Sequence, residues 1–227
     1  DLNDRVCTGH AAIANVNRFV LENKQYEELI FNIIDRNLKT RSTASMINKV
    51  IPGLIPTFDV ALAKAYDEKT QKKVKWSDGW FVSRKLDGCR CICIIDGNGE
   101  PKFFSRAGNE FLTLDNLKPP IRQLGLINTV LDGEICMIDA NGNEDFTSIM
   151  KEIKRKDHTI EQPHYYIFDH LTIKEFESKV STTKFGQRIA NIESIVPDGL
   201  MGVSVLDQFI CADDMFVSLL EHSKKEG

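Results

Sequence analysis

Lys85-Leu86-Asp87-Gly88-Cys89-Arg90 reads K-x-D-G-x-R, a lysine set directly before an Asp-Gly turn and followed by a second cation. The apolar pair Phe81-Val82 precedes it and the alternating run 91–95 follows, so the lysine leaves one strand and the turn opens the next. A lysine amine attacks an electrophile only when deprotonated, and its free pKa is about 10.4. Arg84 beside it, or a bound divalent cation, is expected to lower that value. The pattern also fits an ordinary basic hairpin, so the other polar residues at strand ends carry weight. Ser105-Arg106-Ala107-Gly108 follows Phe103-Phe104, and Leu131-Asp132-Gly133-Glu134-Ile135 continues a further apolar run. Tyr165-Tyr166-Ile167-Phe168-Asp169 places an aromatic at a strand end, and Lys225-Glu226-Gly227 comes last. Singly, Phe168 reads as a core aromatic, Glu134 as a turn carboxylate and Arg106 as surface. Their order along the chain is what carries information.

The elements that must position these residues follow from periodicity. Up to residue 50 the apolar residues recur at three and four: a helix starting at Thr8, another near 26–34, and a third after Ser42 or Thr43, stopped by Pro52, Gly53 and Pro56. Beyond residue 75 short alternating runs predict strands at 81–82, 91–95, 103–104, 129–135 and 165–168, with turns at Asp96-Gly97-Asn98-Gly99 and at 139–142. Helices are expected near 146–154, 184–195 and 212–223. This is an α+β pattern with a mostly antiparallel sheet, preceded by a small helical module. The boundary is placed after residue 56.

The chain has 227 residues, 42% hydrophobic and 27% charged, enough apolar material for a core and too ordered a mixture for a low-complexity segment. Its longest apolar runs are too short to span a membrane. Asp1-Leu2-Asn3-Asp4-Arg5 lacks a basic start and an apolar stretch, so no secretory signal is read, and the missing initial Met suggests a piece of something longer. Cys89, Cys91 and Cys93 share one strand face. Without a nearby histidine pair they read as reduced core cysteines of an intracellular, cytoplasmic protein rather than as metal ligands. His158, His164, His170 and His222 lack ligand spacing and read as structural. Net charge is −4, but residues 1–80 carry +2 and the rest −6. Arg36, Lys39, Arg41 and Lys49 come with no acid between them, as do Lys69, Lys72, Lys73 and Lys75. Each run is either a solvated face or a patch that sits on phosphates.

In this order the chemical segments resemble motifs I, Ia, III, IIIa and the opening of IV of the covalent nucleotidyltransferases. The closer resemblance is to ATP-dependent DNA ligases of the bacteriophage type. It rests on Ile47-Asn48-Lys49-Val50-Ile51-Pro52-Gly53-Leu54-Ile55-Pro56, on Ala65-Tyr66-Asp67-Glu68-Lys69, and on Ser105-Arg106-Ala107-Gly108-Asn109-Glu110-Phe111-Leu112. It implies an ATP-grasp-like adenylation domain over 57–227, incomplete at its C-terminal side, after the last part of a helical DNA-binding domain over 1–56. A later lysine pair and an OB-fold domain would lie beyond, so this stretch alone is not expected to seal a nick. The implied cofactors are ATP as AMP donor and Mg²⁺. The implied partner is nicked duplex DNA, bound by a monomer in a bacterial or phage-infected cell; a sliding clamp is left open. Lys85 would attack the α-phosphate and hold AMP. Ser83 would face the adenine amine, Arg90 the ribose, Phe168 the adenine ring. Arg106 belongs to the nucleotide-binding set and would grip the 5′-phosphate of the nick. Glu134 would bind ribose or metal, and Glu226 metal. Arg36, Lys39, Arg41, Lys49 and Arg106 would meet DNA. An RNA ligase, a capping guanylyltransferase and a non-catalytic nucleotide- or DNA-binding fragment are the alternatives.

Charge reversal at Arg36, Lys39 and Arg41 together is expected to weaken nick binding and flatten its salt dependence, because each lost phosphate contact removes released counterions. A binding titration across salt concentrations checks it; an unchanged slope makes the patch a solvated surface.

Overall fold

The computed structural model describes residues 7–35, 43–52, 54, 58, 60–65, 67–211, 215, 218, 219 and 222. By contact the chain divides into two compact units, 1–57 and 58–227. The first holds α1 (Gly9–Glu22), α2 (Glu27–Ile34) and α3 (Ala44–Val50). Thr8 stands at the N-cap of α1 in extended conformation, but its side chain makes no cap bond there; Gly9, at φ +59°, turns the chain at that point. The Thr43 hydroxyl does cap α3, accepting the Met46 N–H at 3.2 Å. Along α1 Val20 is buried while Ile13 and Phe19 are exposed. Lys49 is exposed on α3, and Arg36, Lys39, Arg41 and Glu226 lie outside the described residues.

The second unit runs α4 (Glu68–Gln71), β1 (Trp80–Ser83), β2 (Cys89–Ile95), β3 (Pro101–Ser105), α5 (Lys118–Gln123), β4 (Thr129–Cys136), α6 (Phe146–Glu152), β5 (His164–Thr172), α7 (Ile173–Ser178), α8 (Phe185–Ile195), β6 (Val203–Val205) and β7 (Gln208–Cys211). One sheet has the order β3-β2-β4-β5-β6 and a second pairs β1 with β7. Every pair is antiparallel except β5 with β6. The β2–β3 hairpin turns at Asp96, whose carboxylate accepts the Asn98 and Glu100 N–H groups at 2.8 and 2.9 Å. The α+β, mostly antiparallel expectation matches this architecture.

The differences have local causes. Strand β5 continues past residue 168, so Phe168 lies inside a strand rather than at its end. β6 and β7 are only three and four residues long and leave no alternation to read. Helix α5 is not among the expected elements; Pro119-Pro120 sit in its first turn, where the missing N–H groups have no helical partner anyway. The short α7 is marked by a reciprocal cap between Thr172 and Glu175. The helix expected over 212–223 falls mostly outside the described residues.

Alternation builds one main core. Cys91, Cys93 and Ile95 of β2, Leu131 and Ile135 of β4, and Tyr165 and Ile167 of β5 point into it, covered by Ile149 of α6 and Ile192 of α8. Cys91 and Cys93 are buried there, and burial pushes both thiols up, out of the reactive range. The Tyr165 hydroxyl crosses under the sheet to within 2.8 Å of the Leu131 carbonyl oxygen and 3.1 Å of that of Cys91. Its ring can lie there because Gly133 has no side chain. A Cβ on Gly133 would come within 2.5 Å of Tyr165 Cε2 and into contact with the Tyr166 carbonyl oxygen. Gly133→Ala is therefore expected to cost about 1–3 kcal/mol of folding free energy as overpacking. Urea unfolding checks it; an unmoved midpoint would show that Tyr165 can step aside.

Candidate active site

Loop 84–88 between β1 and β2 has no regular structure, and three non-local restraints fix it. Leu86 is buried in a small second core with Cys136 and Leu206, against Tyr166 and Phe168. Gly88 lies flat on β4: a Cβ there would meet the Ile135 carbonyl oxygen at 2.5 Å, Cys136 Sγ at 2.6 Å and Glu134 Cγ at 2.8 Å. The Asp87 N–H donates to Glu144 Oε2 at 2.9 Å. Lys85 rides exposed on this loop, its Nζ donating to the Leu86 carbonyl at 3.3 Å.

The residues of β4 that face away from the core build the floor. Arg90 of β2 stands opposite Glu134 in the β2–β4 register. Its guanidinium grips Asp132 with both arms, Nε to Oδ1 and Nη2 to Oδ2, each at 2.6 Å. The same group lies 4.6 Å over the Phe168 ring and approaches the Ala61 carbonyl at 3.4 Å. Burial opposes charge on Arg90, but the hydrogen bonds and charge of Asp132 outweigh it, so its pKa stands above the usual value. Burial raises the Glu134 carboxyl above the ordinary range, while Arg90, the Gly88 amide and Lys85 pull it back. Asp169 takes Arg188 of α8 bidentately, at 2.8 Å on each oxygen, and Gln208 Nε2 donates to the Phe168 carbonyl at 2.9 Å.

These groups surround one cavity of about 800 Å³, lined by Ser83, Arg84, Lys85, Arg90, Asp132, Glu134, Phe168, Asp169 and Gln208 among others. Ser83, Lys85, Arg90, Glu134 and Phe168, five residues marked by sequence, thus share a wall. A neighbouring hollow of equal volume, about 800 Å³, borders Trp80 and Phe185 as well but holds none of the five. Arg106 stands apart from the cavity. It is exposed on the turn after β3, and β3 is the outer strand beyond β2, on the far side from β4 and β5. Gly108 closes that turn at φ +79°, its amide bonding the Ser105 carbonyl at 2.9 Å. His164 bridges β5 to Ser204 of β6 at 2.9 Å, a structural role.

Arg84, the residue before Lys85, pairs its guanidinium with Glu144, a carboxylate with 8% side-chain exposure. Sequence reasoning missed Asp132, Glu144, Arg188 and Gln208. Asp132 had a signal, since it lies two residues before Glu134 and thus on the same strand face. Glu144, 57 residues from Asp87 along the chain, had none. Among the described residues no group of three His, Cys, Asp or Glu is placed to hold a metal ion, and no helix is long and apolar enough to cross a membrane.

Residues 60–227 match the family model described as the ATP dependent DNA ligase domain. The DNA ligase of Enterobacteria phage T4 is 35% identical over 142 residues, covering 58% of this chain and 29% of the relative. That of African swine fever virus (isolate Pig/Kenya/KEN-50/1950) is 28% identical over 180 residues, 78% of this chain and 39% of the relative. The chain thus spans well under half the length of these relatives. A solved structure named Pmar-Lig_PreS3 shares the fold at TM-score 0.75 and 22% identity, over 98% of this chain and 53% of its own.

Asp132→Asn should weaken the clamp on Arg90 and lower unfolding free energy by about 1–3 kcal/mol, the range for a hydrogen bond to a charged group whose partner stays buried. Denaturant titration with an unchanged slope checks it; unaltered stability would mean that the pair only breaks even with solvation.

Proposed function

Because this chain belongs to the ATP-dependent DNA ligase domain family, we propose that it carries the adenylation site of an enzyme sealing nicked duplex DNA through a lysine-AMP intermediate. What supports this reading is the one cavity that gathers Lys85, Arg90, Glu134 and Phe168. In the first step the Lys85 amine, having lost its proton, attacks the α-phosphorus of ATP. A P–N bond forms, the bond to the bridging oxygen breaks, and pyrophosphate leaves. AMP then passes to the 5′-phosphate of the nick, and the 3′-hydroxyl displaces it. Such transfers depend on positioning and charge neutralisation.

Arg90 would reach the ribose and Ser83 the adenine edge. Phe168 would stack on the base, which must use the ring face that Arg90 leaves open or move the guanidinium. Glu134 is a hard oxygen donor at the cavity wall, and Mg²⁺ is commonly held by one or two carboxylates together with substrate phosphates and waters, so the residue fits that ion. Asp132 is engaged by Arg90. When bound, Mg²⁺ would neutralise phosphate charge; Glu226 is the second proposed ligand. Arg106 and Lys49, with Arg36, Lys39 and Arg41, would contact the DNA backbone. A single copy working in a reducing intracellular compartment completes the reading.

The test is intact mass of the complete protein after incubation with ATP and Mg²⁺. One AMP per chain is expected in the wild type, and none in Lys85→Ala or in Lys85→Arg, whose guanidinium stays protonated. Arg106→Ala should label normally and lose the nick-dependent steps. Labelling that persists in Lys85→Ala overturns the assignment.

A further inference from the structure

Glu144 belongs to none of the segments that mark the site by sequence, yet its side chain holds the nucleophile loop from both ends. One oxygen takes the guanidinium of Arg84, the residue before Lys85; the other accepts the N–H of Asp87, two residues after it. The carboxylate is nearly buried, with 8% exposure, whereas Arg84 is 61% exposed. A carboxylate that closed off from water is costly unless both oxygens are satisfied, and here the loop itself satisfies them.

The element that carries Glu144 is stiff. It leaves β4 through a tight turn in which Asp139 Oδ1 accepts the N–H groups of Asn141 and Asn143, each at 2.8 Å. Ile138 and Glu144 pair as an isolated β-bridge across that turn. The next residue, Asp145, caps α6 by accepting the Ser148 N–H at 2.9 Å. Glu144 is thus fixed by a bridge on one side and a helix cap on the other, and it reaches 57 residues back along the chain.

Resting on the adenylation reading above, we propose that Glu144 is a positioning residue of the lysine-adenylation step: its two bonds to Arg84 and Asp87 set the aim of Lys85 at the α-phosphorus. Without it, Leu86 and Gly88 still anchor the loop on the sheet, but nothing the structure describes ties Arg84 or the Asp87 amide. The defect is then one of aim, and small displacements of a reacting group carry large rate penalties.

Lysine adenylation transfers one AMP per chain, which separates aim from folding. A mispositioned nucleophile slows the approach to the end point; misfolded protein lowers the end point itself. The experiment follows AMP uptake by the complete protein at saturating ATP, with pyrophosphate removed, for wild type, Glu144→Ala and Glu144→Gln. The expected result is a rate at least ~10-fold lower in Glu144→Ala, with the end point kept and the half-saturating ATP concentration within about threefold of wild type. Glu144→Gln, which can still accept the Asp87 N–H but cannot pair with Arg84 as an ion, should lie between them. A wild-type rate in Glu144→Ala, or a loss confined to end point or melting temperature, overturns the proposal. Should the alanine variant not fold, a wild-type rate in Glu144→Gln overturns it equally. A wild type that takes up no AMP overturns the reading of the cavity instead. Hydrogen exchange of the peptide spanning 84–88 then decides for Glu144: faster exchange in the alanine variant sustains its hold on the loop, and unchanged exchange removes it.

Discussion

Strand β4 has two faces with different work, and the site depends on keeping them apart. Leu131, Gly133 and Ile135 face the main core, whereas Asp132, Glu134 and Cys136 face the cavity side and the small second core. A slip of one residue would exchange the faces, burying two carboxylates in the main core. Two glycines allow close approach to this strand: Gly133 lets the Tyr165 ring cross beneath it, and Gly88 lets the lysine loop lie on it. The register is therefore locked by packing on one face and by chemistry on the other.

That division explains why much of the fold was legible and why part of the site was not. Alternation in 91–95 and 129–135 exists because one face is buried, so it survives in the sequence as a pattern. The cysteine run followed the same rule, with Cys91 and Cys93 in the core and Cys89 half-buried. Lys85, Arg90 and Glu134 were visible because they sit beside turns and strands whose order is itself a signature. Glu144 and Arg188 were hidden because their meaning lies in partners 57 and 19 residues away. Nothing local distinguishes such a carboxylate or guanidinium from a solvated one. Strand β7 was hidden for a related reason: it is only four residues long, and it becomes a strand by pairing with β1.

The placement of Arg106 gives the molecule a spatial logic. The cavity proposed for the nucleotide lies between β1, β2, β4 and β5, while Arg106 stands on the turn after β3, on the outer side of β2. A nucleotide in the cavity and a phosphate at Arg106 would not compete for the same side chains.

Charge in the cavity is already largely spent. Arg84 is bound to Glu144, Arg90 to Asp132 and the lining residue Asp169 to Arg188. Lys85, the third described cation lining the cavity, donates to the Leu86 carbonyl and acts electrostatically on Glu134. On the proposed reading, a triphosphate would bring several negative charges to a site whose guanidinium groups are held by acids of the same chain. Among the groups described at the cavity, neutralisation would then come from opening one of these pairs, or with the nucleotide as a metal ion. Of the two guanidiniums that line the cavity, Arg84 cannot swing to a bound phosphate without releasing the Glu144 contact proposed to aim Lys85. Arg90 can leave Asp132 at a smaller cost to the loop, because Leu86, Gly88 and Glu144 hold the loop independently of it. On the proposed adenylation reading, the arrangement separates a cation that can move toward the nucleotide from one whose fixed place would keep the nucleophile aligned.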